Sequence, residues 1–301
     1  MNHIFMEFDK VGAEWAVVAY LANDGRMIDV VESHKDPHTT TGSLISGASY
    51  ELVERESKLV GLHTDPSTIS DLRRSIPELS SHFLPRNMSI RQAGKKSNHG
   101  LNYDMRFRRF ALETGLEEKD AKRIADAYFQ VAYPGIPVWR ESVRGQLRKD
   151  RTLSNCFGRK RRFLGAWGDD LFREAYSFIP QSTVVDVVNR GMIGIYIDDS
   201  PLFAPLEVLA QVHDSLLIQY PASGSMQDAA LVAQRIAFNY LSPTLRYSGR
   251  EFSIRTDMKI GISWGRMIPV NLSESPGVLA ENLRAAWEKA NAKPIECTEA
   301  A

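Results

Sequence analysis

The 301 residues are 43% hydrophobic and 25% charged, and 37 Lys and Arg balance 37 Asp and Glu to a net charge of zero. That composition builds one large folded domain or two small ones and excludes a disordered chain, while the neutral balance leaves only local basic clusters to attract a polyanion. Two distant cysteines, Cys156 and Cys297, exclude a disulfide framework and a zinc site; with no long apolar run and no leader-like start at Met1-Asn2-His3-Ile4, the chain is expected in a cytoplasm, off the membrane.

Residues 4–8 form a short apolar run that predicts a strand, with Asp9 delivered to its end, and residues 13–21 are apolar enough for a buried helix packed on it. Asp36-Pro37 stops the pattern, because the residue before a proline is pushed out of the helical region. Residues 39–85 are polar and broken by Gly42, Gly47, Gly61, Pro66, Pro77 and Pro85, which predicts several short helices with loops between them. Helical periodicity returns over 89–105 and over 117–133, where Ala121, Ile124, Ala125, Tyr128 and Phe129 share one face. Pro134-Gly135-Ile136-Pro137 ends that helix, and another is expected over 138–148.

Residues 152–159 predict a turn between short strands, and 183–197 a long apolar helix. Two apolar runs, 207–212 and 216–220, close on His213-Asp214-Ser215 as a tight hairpin. A helix over 227–240 and a strand over 252–262 follow. A capped helix then starts at Ser275-Pro276 and carries Leu279, Leu283 and Trp287 on one face. The fold class is α+β, with no internal repeat, and the last residues read as disordered.

Arg91, Lys95, His99 and Tyr103 recur every four residues, so on a helix they form one stripe that drifts by about 40° per step. Its basic end suits a triphosphate, since Arg grips phosphate oxygens with a planar fork and Lys acts as a point charge; by itself the stripe also fits a solvated helix face. A second basic cluster holds Arg144, Arg148, Lys149, Arg151, Arg159, Lys160, Arg161 and Arg162 against the single acid Asp150, and it could neutralise backbone phosphates or simply face water. Asp9 alone could be a helix N-cap and Asp214 alone a turn former. Together with the stripe between them they form an ordered triple, and two carboxylates held close together can bind a pair of Mg²⁺ ions that align the oxygens of a phosphoryl transfer.

Residues 9–14, residues 91–103 and His213-Asp214 resemble motifs A, B and C of the family A DNA polymerases, the DNA polymerase I type. Asp36-Pro37-His38-Thr39 resembles the family's Asp-x-His segment, Phe157-Gly158-Arg159 its conserved turn, Arg173 with Gln181 its template-reading pair, and Trp264-Gly265 its closing strand, so residues 4–267 are covered. The resemblance implies template-directed addition of deoxynucleotides to a primer 3′ end. It implies a palm of residues 1–35 and 176–301, an antiparallel sheet with helices, and an inserted, mainly helical fingers domain of residues 36–175. Asp9, Asp214 and the carbonyl of Lys10 would hold two Mg²⁺ ions, for which Mn²⁺ substitutes. Arg91, Lys95 and His38 would contact the dNTP triphosphate, Lys95 also as proton donor to the leaving pyrophosphate. Glu14 would block a ribose 2′-hydroxyl, His99 and Tyr103 would face base or sugar, and Tyr103 would handle the templating base. His213, Arg173, Gln181 and Arg159 would touch primer-template DNA, the first three at primer terminus and minor groove.

The chain departs from the family at several positions. Ser215 stands where motif C continues with a glutamate, His99 where motif B carries Phe or Tyr, and Asp104 where it has a glycine. Val11, Gly12 and Ala16 replace polar residues and an arginine of motif A. The family's thumb and exonuclease-like domain precede motif A, so the expectation is a phage-like catalytic half of a split polymerase without either, completed by a second polypeptide. Two other readings stay open: a phage-type single-subunit RNA polymerase, which shares Arg-x-x-x-Lys and His-Asp-Ser but against which Glu14 argues, and a catalytically degenerate DNA-binding replisome subunit, suggested by Ser215, Ala16 and Gly12.

Overall fold

The computed structural model describes residues 3–292; Cys297 and the end of the chain expected to be disordered lie outside them. Strand β1 (His3–Lys10) is followed by helices α1 (Ala13–Leu21), α2 (Gly25–Glu32), α3 (Pro37–Ser46), α4 (Tyr50–Val60) and α5 (Pro66–Arg73). A 3-10 turn (Pro77–Ser81) leads to α6 (Ile90–Leu101), α7 (Phe107–Thr114) and α8 (Glu118–Ala127), which runs into a π turn (Tyr128–Ala132). Helix α9 (Gly135–Asp150) precedes the hairpin β2 (Thr152–Ser154) and β3 (Lys160–Arg162), then α10 (Asp169–Tyr196). The hairpin β4 (Glu207–Val212) and β5 (Ser215–Pro221), helix α11 (Met226–Arg235) with a second π turn (Ile236–Tyr240), strands β6 (Leu245–Tyr247), β7 (Arg250–Phe252), β8 (Thr256–Ser263) and β9 (Arg266–Val270), and helix α12 (Pro276–Ala292) complete the chain. The α+β expectation holds, and no described helix is long and apolar enough to cross a membrane.

Contacts divide the described residues into two units: 3–13, 183–246 and 251–292, which carry the main sheet, and 14–182 with 247–250, which are mainly helical. The sheet has the order β4-β5-β1-β8-β9 with antiparallel pairing throughout. Strand β1 alternates strictly: Ile4, Met6, Phe8 and Lys10 are buried, while Phe5, Glu7 and Asp9 lie on the more open face. The buried face packs with Leu216, Ile218, Tyr220, Met258 and Ile260 against Ala229 and Ala233 of α11 and Leu279 and Leu283 of α12, with Trp287 against the same core. The last helix thus buries its apolar face on its own unit; each buried Leu contributes about 1.5–3 kcal/mol.

In the helical unit, α3 and α6 cross so closely that only glycine fits at the contact: a Cβ on Gly94 would lie 2.2 Å from the His38 carbonyl oxygen, and one on Gly42 2.9 Å from that of Ile90. The segment 39–85 forms short helices as expected, and a buried ion pair locks it to α6. Arg73 meets the Glu56 carboxylate at 2.5 Å and donates to the carbonyls of Pro85 and Met88, while Glu56 accepts from the Ile90 N–H at 3.0 Å.

Four expected elements are redrawn. Helix α6 stops at Leu101, so Tyr103 sits in a turn beyond the stripe: Asp104 takes a positive φ of 68°, and Arg140 captures the carbonyls of Leu101 and Asn102. Helix α9 begins at Gly135 instead of 138, because Pro137 falls in the first turn, where its missing N–H has no helical partner to lose. Helix α10 begins at Asp169 instead of 183 and runs through Pro180, which reads as a helix stop in the sequence. The strand expected over 252–262 is two strands, and the Ile254 carbonyl between them turns to the Lys10 ammonium instead of a ladder partner.

Candidate functional site

The candidate side chains fall into two groups, one in each unit. In the sheet unit the antiparallel register sets Asp9 beside Ser215 of β5 on one side and Asp257 of β8 on the other, with Asp214 in the turn one residue before Ser215. The hairpin keeps this turn tight through His213 at φ 54° and the Ser215 hydroxyl donating to the Val212 carbonyl at 3.0 Å. Burial, then the negative charge of Asp214, push the Asp9 carboxyl up to about 6, and the Lys259 ammonium pulls the other way. Asp9 is thus a carboxylate whose ionised form lacks a full counter-charge, in an all-oxygen donor set that suits a hard divalent cation. Among the described residues no group of three or more His, Cys, Asp and Glu forms a metal cage.

Lys10 lies on the opposite face of β1. Its ammonium donates to the Leu241 carbonyl at 2.5 Å, the Thr256 hydroxyl at 2.7 Å and the Ile254 carbonyl, and the residue is 2% exposed. Burial pushes it down to about 7 despite Asp214 and Asp9. Only its backbone carbonyl is left for the expected role. Two residues before Asp9 on the open face, Glu7 accepts from Lys259 Nζ at 3.0 Å and from Trp264 Nε1 at 2.9 Å. Glu7, Asp257 and Lys259 escaped the sequence reading, although the period-two burial of β1 and β8 places all three on the face of Asp9.

In the helical unit α6 presents Arg91, Lys95 and His99 along one side, as their spacing predicts. The α3–α6 crossing brings His38 to them: its ring lies 5.7 Å from that of His99. Burial, with Arg91, His99 and Lys95 adding to it and Asp36 opposing, pushes the His38 imidazole down to about 4, so it is neutral at pH 7. Its tautomer follows from Asn98, whose Oδ1 accepts from the hydroxyls of Thr41 and Tyr128 and whose Nδ2 donates to the Pro37 carbonyl and faces His38 Nδ1 at 3.1 Å. Nδ1 is the acceptor, so the proton sits on Nε2. Arg91 pairs with Asp36 through Nε at 2.9 Å and Nη2 at 3.1 Å.

Tyr103 leaves the stripe but meets another expected residue: its hydroxyl donates to the Glu14 carboxylate at 2.5 Å. Burial and the facing carboxylate hold the phenol well above its ordinary range, hence protonated. His99, Tyr103, Arg106, Arg109 and Arg173 line one groove of about 650 Å³, with Arg173 also paired to Asp170. Asp104, in the place of the family's glycine, keeps a left-handed backbone and accepts from Arg140 at 3.1 Å, with Arg144 at 3.6 Å. That pair removes Arg144 from the exposed basic cluster. Arg148 pairs with Glu141, Arg161 with Glu174, and Arg151 with the carbonyls of Phe163 and Gly165; Arg159 and Lys160 lie at the β2–β3 hairpin. Gln181 is exposed on α10 and His213 on the β4–β5 turn.

A family model described as DNA polymerase family A matches residues 81–266. The thermostable DNA polymerase I of Thermus caldophilus is 26% identical over 233 residues, covering 75% of this chain and 24% of the relative. DNA polymerase I of Borreliella burgdorferi is 22% identical over 277 residues, 88% of this chain and 25% of the relative. The chain therefore spans about a quarter of the length of these curated relatives. The solved POL domain of Pol1 from M. smegmatis, in complex with DNA primer-template and dNTP, shares the fold at a TM-score of 0.65 and 21% identity over 87% of this chain and 40% of that one.

Proposed function

The chain belongs to DNA polymerase family A, and we propose that it catalyses template-directed addition of deoxynucleotides to a primer 3′ end, releasing pyrophosphate. The observation that carries this is the Asp9–Asp214 pair at the adjoining ends of β1 and the β4–β5 hairpin, where burial and then the charge of Asp214 push the Asp9 carboxyl up to about 6. In this reading residues 1–35 and 176–301, which include the main sheet, form the palm, and residues 36–175 form the fingers. Asp9, Asp214 and the Lys10 carbonyl would hold two Mg²⁺ ions, or Mn²⁺, which supply Lewis-acid activation of the attacking hydroxyl and charge neutralisation at the phosphates.

The remaining roles belong to the chain's own groups. Arg91 binds triphosphate oxygens through a planar edge, Lys95 as a mobile point charge that also donates a proton to the leaving pyrophosphate, and His38 through its Nε2 proton. Glu14, held by Tyr103, blocks a ribose 2′-hydroxyl in this reading, which favours deoxynucleotides and argues against the RNA polymerase alternative. His213, Arg173 and Gln181 contact primer-template DNA at the primer terminus and minor groove, and Arg159 contacts the same DNA.

Primer extension on a recessed DNA template with Mg²⁺ and dNTPs, comparing the wild type with Asp214→Ala at high protein concentration, tests the activity. Extension that disappears in the variant is expected. Extension that survives it overturns the role of the pair, and a folded wild type that extends nothing even in native lysate points to the degenerate DNA-binding subunit.

A further inference from the structure

Asp36 has no role among those above, yet it is the most heavily engaged carboxylate around the α6 stripe. As N-cap of α3 its Oδ2 accepts from the Thr39 N–H at 2.7 Å and the Thr39 hydroxyl at 2.6 Å, and Pro37 at the first helical position restrains the backbone beside it. The Asp36 N–H in turn donates to the Tyr50 hydroxyl at 3.2 Å. The carboxylate is therefore immobile before it meets Arg91. Although burial pushes the Asp36 carboxyl up, the donors from Thr39 and Arg91 hold it below the usual carboxylate range, so it is ionised.

The contact with Arg91 is side-on and bidentate, Nε to Oδ2 and Nη2 to Oδ1. A guanidinium carries five N–H donors in one plane, and a side-on fork uses two of them, which leaves three along the outer edge. The Arg91 side chain is 38% exposed, and its charge acts on His38 together with that of Lys95.

We propose that Asp36 is a positioning residue for the nucleotide triphosphate: it clamps the inner edge of Arg91 so that the outer edge is set toward the phosphate oxygens before they arrive. This rests on the reading of the α6 stripe as a phosphate site. An arginine aimed in advance loses less rotamer freedom on binding than a free one. The negative charge of Asp36 also repels the ligand, but that repulsion does not depend on which side chain stands at 91.

A double-mutant cycle separates the two effects. Inorganic tripolyphosphate, titrated calorimetrically without divalent metal, probes the wild-type chain, Asp36→Asn, Arg91→Ala and the double variant; asparagine caps a helix as well as aspartate, so Tm should hardly move. Asp36→Asn should weaken binding about tenfold more with Arg91 present than with alanine at 91. Asp36→Ser, which caps without reaching Arg91, should do the same and serves if the asparagine variant folds poorly. An Asp36→Asn effect equal in both backgrounds overturns the proposal and leaves Asp36 a cap. If Arg91→Ala and Lys95→Ala leave the affinity unchanged, or the folded wild type binds no tripolyphosphate, the phosphate reading of the stripe falls and takes the clamp with it.

Discussion

The Tyr103 hydroxyl donates to the Glu14 carboxylate at 2.5 Å, which ties the turn after α6 to the first turn of α1 across 89 residues of chain. Two residues expected to act separately, one on the sugar and one on the template, are a single hydrogen-bonded unit. Replacing Glu14 with glycine should raise the NTP-to-dNTP ratio of kcat/KM about 10- to 100-fold, because a blocked hydroxyl gains room. Tyr103→Phe, which frees the carboxylate without removing it, should raise it less. Equal ratios in all three proteins would show that Glu14 does not read the sugar.

The raised Asp9 carboxyl has a consequence for stability. Its folded value of about 6 exceeds the ordinary 3.8, so its contribution is fully present below pH 3.8 and is lost as pH rises through 6. Without metal, Asp9→Asn should therefore stabilise the fold at pH 8 by on the order of 1 to 2 kcal/mol, after allowance for screening at this half-open face, and do nothing at pH 3.5. The same variant should lose primer extension by about 10³-fold or more, as expected for some 4 kcal/mol of lost transition-state stabilisation. Thermal melts at the two pH values check the first claim, and a lower Tm at pH 8 contradicts it.

His38 works in the opposite sense. Its folded value of about 4 lies below the ordinary 6.5, so the stability that it contributes is present above pH 6.5 and is lost as pH falls through 4. His38→Gln should flatten the fall in unfolding free energy between pH 7 and pH 4 by on the order of 2 kcal/mol, screening included. Urea titrations at pH 7, 5.5 and 4 read this directly, and parallel curves for the two proteins would refute it.

The close crossing of α3 and α6 predicts a sharp positional effect. Gly94→Ala places a methyl 2.2 Å from the His38 carbonyl oxygen and should cost about 1–3 kcal/mol, or displace the His38 end of α3. Gly145→Ala, in the open on α9, should instead stabilise by up to about 1 kcal/mol. Similar melting temperatures for the two variants would mean that the helices do not cross as described.

Local patterning in the sequence already determined much of this protein. The apolar run before Asp9, the four-residue recurrence of Arg91, Lys95 and His99, and the apolar pair around His213-Asp214 each follow from the repeat of a strand, a helix or a turn. Where two local signals competed, the sequence was less readable. Tyr103 continues the helical spacing, yet Asp104 at positive φ and the buried Arg140 end the helix before it, and neither effect shows in a periodicity. Pro180 and Pro137 look like helix stops, but the first lies inside α10 and the second in the first turn of α9.

What only the tertiary structure decided are the partnerships: Asp9 with Asp257 and Asp214, Lys259 with Glu7, Tyr103 with Glu14, Arg91 with Asp36, and the Asn98 amide that sets the His38 proton. Each depends on strand register or helix crossing, which are set by how distant apolar faces pack. A shift of one residue in β8 would move Asp257 from the open face to the buried one with little change in any local propensity. Local sequence specifies which side chains an element displays and on which face; packing between elements specifies what those side chains meet, and in this protein the ionisation of Asp9 and His38 and the aim of Arg91 follow from the second.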